Sequence, residues 1–561
     1  MTFSEYKKVL PDALFSSQAG NQPNLWWGFS DTGKGLSRAA RTTAAACFSA
    51  AREKDAPSPA FGRLAKAALG QTEILDNAVC LLAILRVLPL WKETAADDFA
   101  DAAESAARDA AGIFVEEQPL EYLLLAVELP VTLAYVQPQR ENLLELAQTA
   151  IRSFYDAFLD GDGTPVARFL DSFRQVLASF VRMRLMLKAE DRFPTELVDI
   201  FDLVVQRALC LTRADGTQVF SNAHEGTAEW CPELFVAALQ LDSEAADKRL
   251  GVSVLPGMTR VKKRLPKDLP NGSNVSEWAR LGTIRSRWEG PNAAVKWTDD
   301  TLDVELSHAT GPIFSGAWSF QATFDGKPLM PNGAWRLVQW HSYDEYEHED
   351  EESAKNGGAD CLTLELALSA GFRLLRHIVF AKRDGIALLA DALLPSRNRR
   401  GALTYVGRLP LFTGVTLTGE REALELRTKN ALFLPLALPE WKTQCSANQS
   451  FQTANGALEY ACESAEGGLF APIFCVFDTC RKSSVLTWRP LTVGEEMRQI
   501  SPARANGFRV QIAESQWLIY QSLTNRAAKR TLMGHHLNDL ETFLVAKFTD
   551  EGEVEALYPW E

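Results

Sequence analysis

The chain has few histidines for its length, seven in 561 residues, and His224 is the only one before residue 300. Tyrosine is missing between Tyr155 and Tyr343, and no His-x-His occurs anywhere. Nine cysteines are scattered with no Cys-x-x-Cys pair, which disfavours a zinc site or a disulfide frame and points to buried thiols. A Gly-rich phosphate loop and a Gly-x-Ser-x-Gly elbow are both lacking, so nucleotide-dependent and serine-hydrolase chemistry have no foothold. The net charge of −14, with acidic residues spread along the chain, disfavours nucleic acid as a partner, which needs a basic face. The first residues lack the apolar core of a signal peptide, and no later apolar run is expected to reach the ~18 residues of a membrane span. A cytoplasmic protein without a membrane partner is expected.

What is present divides the chain in two. From about residue 36 to 212 apolar residues recur at three- and four-residue spacing, predicting helices over 74–91, 120–136, 143–159, 165–188 and 194–211, with a further one over 228–241. Pro138, Pro165, Pro194 and Gly161-Asp162-Gly163 punctuate them. Short loops between long helices make antiparallel hairpins, which bury their inner faces by stacking into a solenoid or closing into a toroid. After residue 250 the period shortens to that of strands, with turns at Asp325-Gly326, Asp384-Gly385 and Glu551-Gly552 and one stretch, 493–500, with helical spacing. The expected class is α+β multidomain: an α/α hairpin array, an incomplete toroid, over 1–245, a linker over 246–275, and an antiparallel β-sandwich over 276–561.

One segment carries a resemblance. Arg373-Leu374-Leu375-Arg376-His377 leads a strand that turns through Asp384-Gly385 into Ile386–Leu393, with Asp391 near its end. With the helices-then-strands layout, this resembles the heparinase II/III-like polysaccharide lyases. The resemblance implies a helical toroid followed by a β-sandwich, an acidic glycan as partner, and β-elimination at a uronic acid. That chemistry removes the C5 proton, neutralises the sugar carboxylate and protonates the leaving oxygen, tasks usually given to Tyr and His. The family's His and Tyr in the late helical region, and its His-x-His-x-Asp-like stretch, have no counterpart here, so no catalytic residue is carried over from it. A catalytically inactive member, or pseudoenzyme, that binds carbohydrate or serves as a scaffold stays open beside the lyase.

Candidate residues come from the sequence itself. In Ser221-Asn222-Ala223-His224, Asn222 suits a carboxylate and His224 a base or acid near neutral pH, unless the pair simply caps the next helix. His341 and Tyr343 lie in the densest group of proton-transfer side chains, two residues apart on what reads as a strand end, so they are expected to point the same way. The acidic run from Asp344 to Glu352 beside them would repel an anionic glycan. Arg182 and Arg184, with Arg168 and Arg174 in the same predicted helix, offer forks for uronate or sulfate, or else form internal ion pairs. Trp26 and Trp27 either stack on sugars or pin the terminus to the core. No resident metal or cofactor is called for, although His348 with Glu347 or Glu349 leaves a divalent ion open.

Overall fold

The computed structural model describes residues 36–53, 65–66, 68–88, 93–189, 195–221, 232–242, 244–256, 271–288, 290–308, 311–343, 358–396, 399–477, 484–524, 526–549 and 551–560. The chain divides into two compact units, Met1–Pro270 and Asn271–Glu561.

The first unit is helical: α1 Arg38–Glu53, α2 Ile74–Val87, α3 Glu93–Asp109, α4 Pro119–Val136, α5 Leu143–Phe158, α6 Phe173–Ala189, α7 Thr195–Cys210, α8 Pro232–Leu241 and α9 Ala245–Val254. Helix α4 is 18 residues long and apolar enough, by length and composition, to cross a membrane, contrary to the expectation that no run would reach that length; 94% of it is buried in the unit. It is the core helix, and its register is not uniform. Leu123–Glu128 forms a π-helical stretch between the α-helical Pro119–Tyr122 and Leu129–Val136. Pro130 lies two residues beyond, where its ring and missing N–H disturb the i→i−4 ladder.

Two turns in this unit are built alike. Asp-Gly-Thr-x-Val occurs at 162–166 and again at 215–219. In each, the Asp carboxylate accepts the Thr N–H and hydroxyl, and the Gly takes a positive φ of 81° or 85°. The backbone bonds match as well: Gly163 to Asp160 and Val166 to Phe158 in one, Gly216 to Arg213 and Val219 to Leu211 in the other. Each closes a short β-bridge after a helix, Leu159 with Pro165 and Thr212 with Gln218. Pro165 therefore belongs to a turn and does not start a helix. The helix expected over 165–188 resolves into a 3-10 segment, Ala167–Ser172, followed by α6.

The second unit is antiparallel β, in an eight-stranded sheet, three five-stranded sheets and one four-stranded sheet. The eight-stranded sheet holds the centre, and its strands Ala359–Leu368, Phe372–Ala381, Ile386–Pro395 and Leu469–Val476 are buried on both faces. Continuous apolar runs of this kind cover a sheet on both sides, and one cluster from Ile284 to Tyr558 fills the space between sheets.

Two further expectations fail for identifiable reasons. The helical spacing at 493–500 belongs to a hairpin, Val493–Glu495 with Arg498–Gln499, turned by Glu496 and Met497 at φ 52° and 62°. Apolar residues at i, i+4 and i+7 arise there because the chain reverses between them. The linker expected over 246–275 contains α9 and the first strand, Asn274–Ser276, leaving the division at Pro270.

Candidate functional site

The chemistry of the helical unit centres on Glu128, a carboxylate inside the apolar α4. The π-helical turn delivers it to a fully buried position where Arg86 of α2 and Arg182 and Ser179 of α6 converge. Arg182 grips it through Nε to Oε1 and Nη2 to Oε2, both 2.7 Å, while Arg86 Nη2 donates to Oε1 at 2.5 Å and Ser179 to Oε2 at 2.7 Å. Burial pushes the Glu128 carboxyl up, but the two guanidiniums and the hydroxyl outweigh it and hold it below the ordinary range. Burial likewise lowers the Arg86 guanidinium, to about 9, against the pull of Glu128. The cavity beside Arg182, lined by Leu36, Val79, Leu120, Leu124 and Gln175, is about 10 Å³, room for a water and too small for a sugar ring.

Arg182 is thus a core ion-pair member, which corrects its assignment to a uronate or sulfate. Arg184 is half-buried, its guanidinium 5.7 Å above the Phe201 ring and drawn to Asp202 and Asp242. Arg174 donates to Thr212 at 2.8 Å and to the Gly216 carbonyl at 3.1 Å, so it braces the second Asp-Gly-Thr turn. Arg168 lies in the 3-10 segment and donates to the Glu116 carbonyl at 2.6 Å, so the row expected from one continuous helix is broken. Asn222, His224, Trp26 and Trp27 lie outside the described residues, as do Glu347, His348 and Glu349. Immediately before them, buried Arg213 holds Ser221 by its carbonyl at 2.9 Å and its hydroxyl at 3.2 Å.

In the β unit, His341 is the last residue of its strand, exposed, with its ring 5.4 Å from that of Tyr558. Tyr343 lies past the strand end, so the strand alternation that would align it with His341 does not extend to it. Its ring lies over Gly358, where a Cβ would meet it at 2.1 Å, and its N–H donates to Asp360 at 2.9 Å. Asp360 is itself buried and paired with Lys382, whose ammonium also donates to the Arg285 carbonyl at 2.9 Å and to Ser273 at 3.3 Å. The ion pair therefore fixes the backbone beneath Tyr343. His377 is fully buried, bonded to Thr363 at 2.8 Å and stacked on Phe543 at 4.2 Å, and burial lowers it to about 3. It is a neutral core residue. Among the described residues, no group of three or more His, Cys, Asp or Glu is arranged to hold a metal ion.

Similarity to other proteins appears at the level of structure. No protein-family model matches the chain, and no curated protein sequence matches it. A heparinase III structure superposes with a TM-score of 0.57 over 93% of this chain and 92% of its own, at 10% identity. A mutant of the heparan sulfate lyase HepC from Pedobacter heparinus gives 0.57 over 93% and 95%, at 11% identity. The chain has the heparinase III fold. With identity this low the heparinase III likeness speaks for architecture alone.

Glu128, Arg86, Asp360 and Lys382 escaped the sequence reading. Glu128 had left a signal, since Glu121 and Glu128 are the only charges in the apolar 119–136 stretch. Asp360 and Lys382 had left none, because their pairing depends on strand register.

Proposed function

We propose that the protein acts on uronate-containing acidic polysaccharide by β-elimination. The observation that carries this reading is the heparinase III fold extending over 93% of the chain, shared with a structure whose name is that of a heparan sulfate lyase. In this reading the proton-transfer candidates are His224 in the helical unit and Tyr343 with exposed His341 in the β unit, each taken by itself, with Asn222 the candidate for a uronate carboxylate and Trp26 and Trp27 the candidates for stacking on sugar rings. Arg184 is the remaining guanidinium candidate. We place the protein in the cytoplasm, a proposal that cell fractionation tests.

A second reading, a catalytically inactive carbohydrate-binding or scaffold protein, is favoured by one specific observation: Arg182 is spent on Glu128. Incubation with heparan sulfate and other uronate polymers separates the two. Lyase action generates the ultraviolet absorbance of a C4–C5 double bond, and His224→Ala or Tyr343→Phe should lower its rate by roughly 10²-fold or more. Retention on an immobilised polymer with no absorbance change establishes the second reading. Failure of both retention and absorbance overturns the lyase and the carbohydrate-binding readings together and leaves the scaffold.

A further inference from the structure

Tyr343 stands just past the end of its strand, where the alternation of a sheet no longer sets the direction of a side chain, yet it is held at two points. One is its backbone, whose N–H donates to Oδ1 of Asp360, the second residue of the strand Ala359–Leu368. The other is its ring, which lies against Gly358: a Cβ there would meet Cδ2 at 2.1 Å, Cγ at 2.4 Å and Cε2 at 2.6 Å. A residue without a side chain leaves room for the ring in that place. The neighbouring Ser342 is tethered as well, its hydroxyl accepting from Asn271 at 2.8 Å. Asp360 is in turn fixed by Lys382. Register sets Ala359 opposite Ala381, and the Lys382 N–H donates to the Gly358 carbonyl at 2.9 Å, so Lys382 is the diagonal neighbour of Asp360 on the same face. Its ammonium has three protons and three acceptors, namely Asp360 Oδ2, the Arg285 carbonyl and Ser273 Oγ. An apolar pair of similar volume would stabilise the sheet as well as a buried ion pair does. It would offer no oxygen to the Tyr343 N–H.

We infer, on the lyase reading in which Tyr343 is a proton-transfer candidate, that Asp360 and Gly358 are its positioning residues: Asp360, anchored by Lys382, fixes the backbone, Gly358 seats the ring, and together they set where the phenol presents its hydroxyl. Each acts through Tyr343 and needs no contact with the sugar. The leverage of such a clamp is large, because misplacing a reacting group by about 1 Å can cost on the order of 10²-fold in rate.

Gly358→Ala and Asp360→Asn, made in the full chain, test the two holds separately. Nitration by tetranitromethane, followed by mass spectrometry of the Tyr343 peptide, reports on the ring without any need for activity. Cε2, one of the two carbons that are nitrated, is covered by Gly358, so Gly358→Ala should raise the rate roughly tenfold or more while buried Tyr405 keeps its own. Asp360→Asn should also raise it. The double variant Asp360→Asn with Lys382→Met, which strands no ammonium, makes the same test should the single one not fold. With heparan sulfate as substrate, both variants should lower kcat roughly tenfold or more with KM little changed, and neither should lower it further in a Tyr343→Phe background. Folded variants with the parent's nitration rate refute the clamp, and faster nitration with the parent's kcat refutes its part in proton transfer. A parent protein that generates no C4–C5 absorbance overturns the lyase reading instead, and nitration alone then decides the clamp.

Discussion

Removing the carboxylate of Asp391 should cost the β unit about 3–5 kcal/mol, the usual penalty for stranding one partner of a buried ion pair. Arg376 and Asp391 face each other directly across the central hairpin, 0% and 1% exposed. Nε and Nη2 of Arg376 reach the two carboxylate oxygens at 2.7 Å each, and Nη1 reaches the Trp318 carbonyl at 2.5 Å. Tyr405 donates to the same carboxylate at 2.5 Å, and the guanidinium lies 4.0 Å over Trp318 and 5.0 Å over Trp335. Asp391→Ala leaves a buried guanidinium without its anion and a tyrosine hydroxyl without its acceptor, both charges against stability. Arg376→Ala should cost a similar amount, because it strands the carboxylate and empties the space between two indoles. The double variant Arg376→Met with Asp391→Leu, which removes both charges and keeps the volume, should recover much of the loss. Urea denaturation followed by tryptophan fluorescence measures all three. The reasoning fails if Asp391→Ala unfolds at the parent's urea midpoint, or if the double variant is worse than the sum of the singles.

Other outcomes follow from the same geometry. Glu128→Ala should destabilise the helical unit by about 3–5 kcal/mol, read by circular dichroism, because two buried guanidiniums lose one carboxylate. Gly163→Ala should cost about 2 kcal/mol or more by the same measurement, since φ is +81° and the new Cβ would meet Leu203 at 2.8 Å. His377, with its folded pKa below the unfolded 6.5, supplies stability that is present above pH 6.5 and lost as the pH falls towards 3; His377→Gln should flatten that acid limb of the β unit's denaturation curve.

The gross architecture was legible because periodicity survives in a single sequence. Helices α5 and α7 and the strands Phe372–Ala381 and Phe543–Phe548 lie where the apolar spacing put them. Register was less legible. A turn centred on Asp384-Gly385, where the sequence marks it, would set Arg376 opposite residue 393, but the strands pair with the turn centred on Arg383-Asp384, and a shift of one residue in the turn moves every cross-strand partner by two. The same limit hid Asp360 and Lys382, whose partners are named only once the strands are aligned. Arg182 was read from its spacing along one helix, whereas its role is set by a carboxylate on another.

The π-helical turn of α4 holds more backbone than a regular helix of the same span, as though one residue had been slipped into it. At this turn, therefore, chain length and side-chain direction are uncoupled. Deleting one residue between Leu123 and Val127 would let α4 run as a plain α-helix and leave Glu128 facing much as it does now, because the wider turn covers the rotation of a regular one with one residue more. The same deletion in the regular α-helical Leu129–Val136 would swing every later side chain by about 100°. A sequence aligned to this one with a single gap inside the π-helical turn would thus describe the same Arg86–Glu128–Arg182 core, whereas a gap a few residues later would not describe the same helix face.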